Sequence, residues 1–415
     1  MNVARRLLRA LVFAWRHTLT PGGKALLGAS MAAAASGALT LRIPVYHLFF
    51  ALGCVFALSF VCGVVLMRPR IEVKGSLPPK ASAGRPVSTR FTVRNTSRFP
   101  VYDLGLGYMN PPHPLEPLNL DRTLPRLGAG ETGEIQVGIN PPRRGMYSIP
   151  PLRAFTTFPF NMLRCDRRVS GRGSLLVLPS FQPIVSIDVP VGRRYQPGGI
   201  ALSSNIGESP EYIGNRDYRP GDSMRHIDFR SWARLAKPAV REYQEEYYCR
   251  VALILDTFVS PGRKKAREGF PDLEAAISLS ASVADALSRG EYIIDIFAAG
   301  PDLYVFRAGR NIAHFDNILE ILACVDECRE NPFETIAPAL VDELENITSV
   351  IYVLLDWDDT RERFVRTAVE AGCKTKVVIV RDGGPSEEFV HAEDWAGQIR
   401  ALTPADVNAG GIETL

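Results

Sequence analysis

The chain has 415 residues, of which 46% are hydrophobic and 22% are charged, and its formal net charge at pH 7 is +3. This length allows two or three domains, and so small a charge gives no indication of an acidic partner. The seven cysteines are an odd number, and their spread along the chain is not that of a disulfide framework.

The N-terminal region has the pattern of a membrane anchor. Residues 1–24 are rich in arginine and predict a basic amphipathic helix suited to an anionic membrane surface. The apolar runs 25–41 and 45–67 follow, and the second is long enough to span a bilayer as a helix. Basic residues flank both ends of the pair, which predicts a transmembrane helical hairpin with both flanks in the cytoplasm. A single span and a cleaved signal peptide are the alternatives.

Residues 70–180 change to short alternating apolar runs, such as VSTRFTVRN and GEIQVGIN, separated by Pro, Gly and Asn turns. This alternation predicts an antiparallel β-sandwich domain. Its residues form no catalytic pattern, so we interpret it as a spacer or interaction module.

Residues 181–250 predict a linker with a charged and aromatic segment, which reads RDYRPGDSMRHIDFRSWAR at 216–234. Basic and acidic residues alternate there, whereas a nucleic-acid surface is one-signed. Nucleic-acid binding is therefore not expected. The segment has two interpretations, a salt-bridge network or a partner-docking surface. Pro220 and Gly221 predict a turn that places Asp222 to cap a following short helix.

Residues 251–400 alternate apolar strands with helical patterns, and 401–415 form a tail. Continuous apolar strands between helices predict an α/β domain with a doubly wound parallel sheet. Ligands of such sheets bind beyond the carboxyl ends of the strands. Asp256 and Asp356 each follow an apolar strand and are expected at that edge.

The charged segment resembles the signature of the domain-of-unknown-function 58 family. The residues that carry the resemblance include Arg219, Asp222, Arg225, Asp228, Arg234, Arg241 and Glu242. Phe229 stands where the family usually has Trp. The resemblance implies a bacterial protein whose partner is a MoxR-type AAA+ ATPase. The predicted hairpin places this protein in the inner membrane, with its soluble domains in the cytoplasm. Our first hypothesis is a membrane-anchored, non-enzymatic scaffold that docks this partner during assembly or activation of envelope or enzyme complexes.

The α/β region is also similar to a von Willebrand factor A domain. That resemblance implies a divalent cation, Mg²⁺, held by Asp256, Ser260, Thr335 and Asp356. Phe258 departs from the pattern, because it replaces a hydroxyl ligand with an apolar ring. In the alternative interpretation, the four candidate ligands cap helices and form hydrogen bonds within loops.

Two other functions remain open at this point. A metal-dependent hydrolase would use Asp256 and Asp356 as ligands, with Asp358 or Asp359 as the general base. A domain of the adhesive type would instead bind a ligand outside the cytoplasm. The sequence has no phosphate-binding loop of the G-x-x-x-x-G-K-[ST] type.

Overall fold

The computed structural model describes residues 15, 18–40, 43–63, 68–118, 123–190, 212–220, 222, 224–243, 250–260, 262–266, 269–290, 292–299, 303–307, 313–341, 343–344, 347–389 and 392–415. The chain is a mixed α/β protein with many strands. It divides into two compact units, Met1–Ser180 with Leu319–Cys324 and Phe181–Ile318 with Val325–Leu415.

Two helices open the first unit, α1 over Pro21–Thr40 and α2 over Ile43–Val61. Among the described residues, none of the helices combines the length and apolar character that crossing a bilayer requires. The predicted transmembrane hairpin is therefore wrong. The helix α2 covers Ile43–Val61, whereas the predicted second span is 45–67, whose last four residues lie outside the described residues.

The structure does not test the predicted N-terminal helix or the predicted localisation. Most of the predicted N-terminal amphipathic helix lies outside the described residues, and α1 already begins at Pro21. The inner-membrane localisation depended on the hairpin and stays a prediction.

Eleven strands of the first unit form three sheets within its described residues. Two antiparallel sheets have the orders β1-β3-β7-β5 and β10-β9-β4-β6, and a third joins β2, β11 and β8. The strands are β1 Ile71–Lys74, β2 Lys80–Ser82, β3 Val87–Asn95, β4 Val101–Tyr108, β5 Glu116–Leu118, β6 Thr123–Leu127, β7 Thr132–Asn140, β8 Gly145–Ile149, β9 Leu152–Thr156, β10 Cys165–Arg168 and β11 Gly173–Leu178.

These sheets share one hydrophobic core. Alternate residues of β3 and β7, such as Phe91 and Val137, pack with Leu104 of β4 and Leu152 of β9. The alternation follows from strand geometry, because successive side chains point to opposite faces of a sheet.

The start of α1 is anchored on the loop before β10. The backbone N–H of Thr20 donates to the carbonyl of Met162 at 3.1 Å, and the Thr20 hydroxyl accepts from the N–H of Gly23 at 3.1 Å. A Cβ atom at Gly23 would lie 2.1 Å from the Met162 carbonyl oxygen. A residue without a side chain is therefore required where the helix meets this loop.

The second unit contains a two-stranded sheet, β12 Tyr212–Asp217 with β13 Ala239–Tyr243, and a six-stranded sheet of order β16-β15-β14-β17-β18-β19. All neighbours in the larger sheet run parallel except β16, which pairs antiparallel with β15. Its strands are β14 Arg250–Leu255, β15 Ile293–Ala299, β16 Leu303–Arg307, β17 Ser349–Leu354, β18 Lys374–Val380 and β19 Gln398–Leu402.

Helices cover both faces of the six-stranded sheet. On one face, alternate strand residues such as Ile254, Tyr352 and Ile379 form a core with α6, α7 and α8. The residues between them face the other way, where α4 contacts the sheet and packs with α9. The helices of this unit are α3 Phe229–Leu235, α4 Pro271–Arg289, the first part of α5 Ala313–Cys324, α6 Phe333–Val341, α7 Asp359–Glu370, α8 Glu393–Ala396 and α9 Pro404–Ala409. The second part of α5, Leu319–Cys324, belongs to the first unit.

Candidate functional site

The carboxyl edge of the six-stranded sheet brings Asp256 and Asp356 to adjacent strands. Leu255, the last residue of β14, pairs with Val353 of β17, and the N–H of Asp256 donates to the Val353 carbonyl at 2.9 Å. The two carboxylates that the sequence placed at this edge therefore lie at the same end of the sheet. They do not share a ligand, because each has its own set of donors.

Asp256 is fully buried and surrounded by hydrogen-bond donors. Its Oδ1 accepts from the N–H of Phe258 at 2.8 Å. Its Oδ2 accepts from the N–H of Leu355 at 2.9 Å and from Nε of Arg361 at 2.7 Å. A buried carboxylate requires such compensation, because burial without a partner is costly.

Arg361, in the first turn of α7, supplies the positive charge at this position. The residue is 1% exposed. Its Nη1 pairs with Asp358, and its Nη2 donates to the carbonyl of Phe258 at 3.0 Å. Burial by itself lowers the pKa of this guanidinium, but the charge and hydrogen bond of Asp256, together with Asp358, outweigh burial and raise that pKa above its ordinary value.

Asp356 has a separate environment on the neighbouring strand end. Its Oδ1 accepts from the N–H of Trp357 at 2.9 Å and from the N–H of Ser386 at 2.8 Å. Its Oδ2 accepts from the Ser386 hydroxyl at 2.7 Å and pairs with Arg381. This carboxylate therefore ties the chain after β18 to the end of β17.

The predicted magnesium ligands do not converge as a group. Ser260 is exposed, and its carbonyl accepts from the N–H of Arg263 at 3.0 Å. Among the described residues, no contact joins the Ser260 side chain to Asp256 or Asp356. Thr335 lies in α6, but its side chain is outside the described residues.

The donor set at the two carboxylates does not fit a hard divalent cation. Mg²⁺ requires about six oxygen lone pairs in octahedral array, whereas N–H or O–H donors point at both oxygens of Asp256 and of Asp356. Where side chains are described, no group of three or more His, Cys, Asp or Glu residues has the spacing of a metal site.

Asp358, one of the two candidate general bases, is the N-cap of α7. Its Oδ1 accepts from the N–H groups of Thr360 at 3.1 Å and Arg361 at 3.0 Å. Asp359, the other candidate base, lies inside the helix. A carboxylate that holds a helix N-terminus and an arginine is poorly placed to take a proton from water.

The family signature forms a second candidate site, built on the hairpin of β12 and β13. Arg216, near the end of β12, donates from both Nη atoms to the carboxylate of Asp222, at 2.7 and 2.8 Å. Asp222 also accepts from the N–H of Arg219 at 2.8 Å. The Arg216 hydrogen bond, and after it the Arg219 N–H, lowers the pKa of Asp222 to about 2. Asp222 thus closes the turn and does not cap a helix as predicted.

The helix cap of the signature is Asp228. It accepts from the N–H groups of Arg230 at 3.1 Å and Ser231 at 3.3 Å, at the start of α3. Nδ2 of Asn215 donates to the same carboxylate at 2.9 Å and the Ser231 hydroxyl donates at 2.9 Å. The Asn215 bond, followed by that of Ser231, lowers the pKa of Asp228 to about 2.

The remaining signature residues lie around this hairpin. Arg219, Arg225 and Arg234 are exposed, and Arg241 of β13 lies 3.8 Å from Asp228. The backbone of Glu242 belongs to β13, but its side chain is outside the described residues.

Apolar side chains of this region are exposed instead of buried. Phe229, Trp232 and Leu235 recur every three residues of α3, so they lie on the same side of the helix, and they are 67%, 39% and 54% exposed. The Phe229 and Trp232 rings stack at 6.1 Å, and Met224 before the helix is 75% exposed. We call Met224, Phe229, Trp232 and Leu235 the aromatic face.

Three exposed cations, Arg230, Arg234 and Lys237, lie in or next to α3. No ion pair joins them to a carboxylate within the described part of the chain, whereas Asp222 and Asp228 are bonded inside the hairpin. Within the described residues, the charges next to α3 are therefore these exposed cations, whereas the two aspartates of the turn and the cap are bonded within the hairpin.

A cavity of about 490 Å³ lies at the amino ends of β18 and β19, lined among others by Cys373, Lys376 and Trp395. This is the opposite end of the strands from Asp256 and Asp356. Nζ of Lys376 donates to the carbonyl of Asp188 at 2.8 Å, and burial lowers the pKa of this ammonium. The lysine thus links a loop to the sheet.

Both candidate sites fall within one family match. Residues 214–388 match the model of a family described as "Protein of unknown function DUF58". The DUF58 range begins in β12 and ends just beyond Ser386, so it includes the aromatic face and the carboxyl edge of the sheet. The von Willebrand factor A likeness and the ATPase partner stay predictions.

One curated relative is the uncharacterized protein YeaD of Bacillus subtilis (strain 168). It is 23% identical over 152 residues, which cover 36% of this chain and 35% of YeaD. The chain therefore matches about a third of that relative's length.

Two solved structures are similar over parts of the chain. The CARDB domain of PF1109 from Pyrococcus furiosus is 14% identical, with 26% of this chain and 89% of that chain covered, at a TM-score of 0.19. A protein of unknown function from Porphyromonas gingivalis W83 is 23% identical, with 29% of this chain and 53% of that chain covered, at a TM-score of 0.20. Neither likeness carries an argument at such scores.

Two residues central to these sites were not singled out from the sequence, Arg361 and Arg216. Arg361 is one of several charged residues of its helix, and its spacing of three from Asp358 is the one signal that pointed to it. Arg216 lies six residues before Asp222, and a turn in between is needed to bring the two together.

Proposed function

We propose that this chain is a non-enzymatic adaptor that docks a protein partner through its aromatic face. The observation that carries the proposal is the exposure of Phe229 and Trp232 on a helix whose position is fixed from both sides. Asp228 caps the helix, and Ala236 ends it in the left-handed conformation, with φ of 53°. Exposed aromatic residues on a fixed scaffold are typical anchors of protein interfaces.

Charge defines the chemistry of the partner. The aromatic face is flanked by Arg230, Arg234 and Lys237, which are exposed and not neutralised by the hairpin's own aspartates. A complementary surface presents carboxylates around an apolar pocket. From the family resemblance, the candidate that we name is a MoxR-type AAA+ ATPase.

The hydrolase alternative receives little support from the carboxyl edge. Asp256 has its lone pairs directed to N–H donors and to Arg361, and Asp358 is occupied as a helix cap. The adhesive alternative depends on a cation at the same carboxylates and has the same difficulty. The adaptor is therefore the function that the described geometry supports best.

The experiment measures binding of the purified chain to a MoxR-type ATPase from the same genome, by biolayer interferometry with and without nucleotide. We expect Trp232→Ala and Phe229→Ala each to weaken binding about tenfold or more, as truncation of a central anchor does. The matched control is Phe99→Ala, since Phe99 is 71% exposed but lies in the first unit.

Equal binding by wild type and Trp232→Ala would remove the aromatic face from the interface. Failure of the ATPase to bind the wild type at all would argue against this partner. Binding of anionic lipid vesicles that Trp232→Ala abolishes would reassign the face to a lipid surface.

A further inference from the structure

Arg361 lies in a cage of oxygen acceptors at the carboxyl edge of the sheet. Its three guanidinium nitrogens are directed to Oδ2 of Asp256, to Oδ2 of Asp358 and to the carbonyl oxygen of Phe258. Each nitrogen has a different acceptor. Asp256 and Phe258 lie in the loop after β14, and Asp358 is the N-cap of α7. The guanidinium thus joins the loop after β14 to the start of α7, at the edge where a sheet of this kind binds ligands.

Two aromatic rings complete the cage. The Cζ atom of Arg361 lies 5.4 Å from the centre of the Phe258 ring and 5.5 Å from that of Phe333. A planar, weakly hydrated guanidinium is attracted to such rings. A hard divalent ion has the opposite preference, because it retains water and needs further oxygens.

The rings also explain a departure in the sequence. Phe258 stands where a cation-binding loop of the von Willebrand factor A type has a hydroxyl, and it contributes to the cage through both its carbonyl and its ring. The residue that removes a metal ligand is thus the one that accommodates the arginine.

We propose that the Arg361 guanidinium is a built-in cation that occupies the position a divalent ion would require beside Asp256. The charge of this edge is then neutralised by the chain itself, independently of Mg²⁺. This inference does not depend on the adaptor function, because it concerns the carboxyl edge of the six-stranded sheet and not the aromatic face.

The first test uses the intact chain. Its melting temperature is measured in EDTA and in millimolar Mg²⁺ or Mn²⁺, beside the Asp256→Asn variant in the same buffers. We expect Mg²⁺ or Mn²⁺ to change the melting temperature of the wild type and of Asp256→Asn equally, or to change neither. A rise in the wild type that Asp256→Asn loses overturns the proposal.

The second test removes the Arg361 guanidinium and adds small cations that could replace it. We expect Arg361→Ala to melt several degrees lower, and millimolar ethylguanidinium to restore more of the loss than equimolar ethylammonium or Mg²⁺. Restoration by Mg²⁺ that equals or exceeds that by ethylguanidinium contradicts a cage built for guanidinium. Arg366→Ala is the matched control, because Arg366 lies on the same helix with its side chain 50% exposed. Should Arg361→Ala not fold, the comparison of wild type with Asp256→Asn decides.

Discussion

Asp256 and Arg361 form an ion pair at 2.7 Å in which the side chains are 0% and 2% exposed. The residues are 105 positions apart in the sequence, on the end of a central strand and the first turn of a helix. A pair so deeply buried has a stability effect that depends on both members being present.

We expect Asp256→Ala to lower the free energy of unfolding by about 3–5 kcal/mol, because it leaves the Arg361 charge buried without its partner. Urea denaturation of the single variants and of the double variant Asp256→Ala with Arg361→Ala measures the coupling. The double variant should lose clearly less than the sum of the two single losses.

Glu362 and Arg366 provide the control for this cycle, since they form an ion pair of the same helix whose side chains are 31% and 50% exposed. Glu362→Ala should cost no more than about 0.5 kcal/mol, as exposed pairs usually do. A cost at Asp256 no larger than the one at Glu362 would show that the buried pair is not a structural link.

The cap of the signature helix gives a second prediction. Asp228→Ala should destabilise α3, because it removes the N-cap, and should speed hydrogen exchange at Arg230 and Ser231. Asp228→Ser keeps a capping oxygen and should lose less. Asp217→Ala, which alters an exposed carboxylate at the end of β12, should leave these exchange rates unchanged. Equal acceleration in all three variants would contradict the cap.

The hairpin should also have a defined acid sensitivity. Asp222 and Asp228 have pKa values lowered from 3.8 to about 2, so the unfolded chain takes up protons more readily than the folded one. Their contribution to stability is therefore fully present above pH 3.8 and is lost as the pH falls toward about 2.

Carboxyl ¹³C titration by NMR checks both midpoints directly. Asn215→Ala removes the largest cause of the Asp228 shift and should raise the pKa of Asp228 while leaving Asp222 unchanged. Midpoints that stay near the ordinary value in the wild type would disprove the hydrogen-bonded arrangement.

The basic rim of the aromatic face predicts electrostatic steering of the partner. Reversing charge in the double variant Arg230→Glu with Arg234→Glu should slow association about tenfold at low salt and weaken its salt dependence. Stopped-flow kinetics at two ionic strengths separates this from an effect on dissociation. Arg126→Glu, an exposed arginine in the first unit, should leave the association rate nearly unchanged, and a similar slowing there would indicate a general charge effect.

The sequence predicted secondary-structure elements correctly where the hydrophobic periodicity is strong. The alternating run VSTRFTVRN coincides with β3 at Val87–Asn95, and the continuous apolar run after Thr348 coincides with β17, all of whose residues are buried. Such patterns report on the faces that a strand buries. They report less well on where an apolar helix ends, and the second predicted span, 45–67, differs from α2 at both ends.

The charged signature illustrates that composition does not record which side chains are bonded and which are exposed. Its acidic and basic residues balance in the sequence, but Asp222 and Asp228 bond within the hairpin while Arg230 and Arg234 are exposed. The cap was likewise placed at Asp222 because it follows a Pro-Gly turn, whereas the helix begins after Asp228.

By itself, the sequence indicated the apolar strands of the central sheet, such as β14 and β17, and that Asp256 and Asp356 follow them, because strand periodicity and burial are encoded locally. Only the tertiary structure decided what those carboxylates bind. The guanidinium of Arg361 reaches Asp256 because α7 starts beside the end of β14, and a contact between residues so far apart in the chain depends on how the helices pack on the sheet.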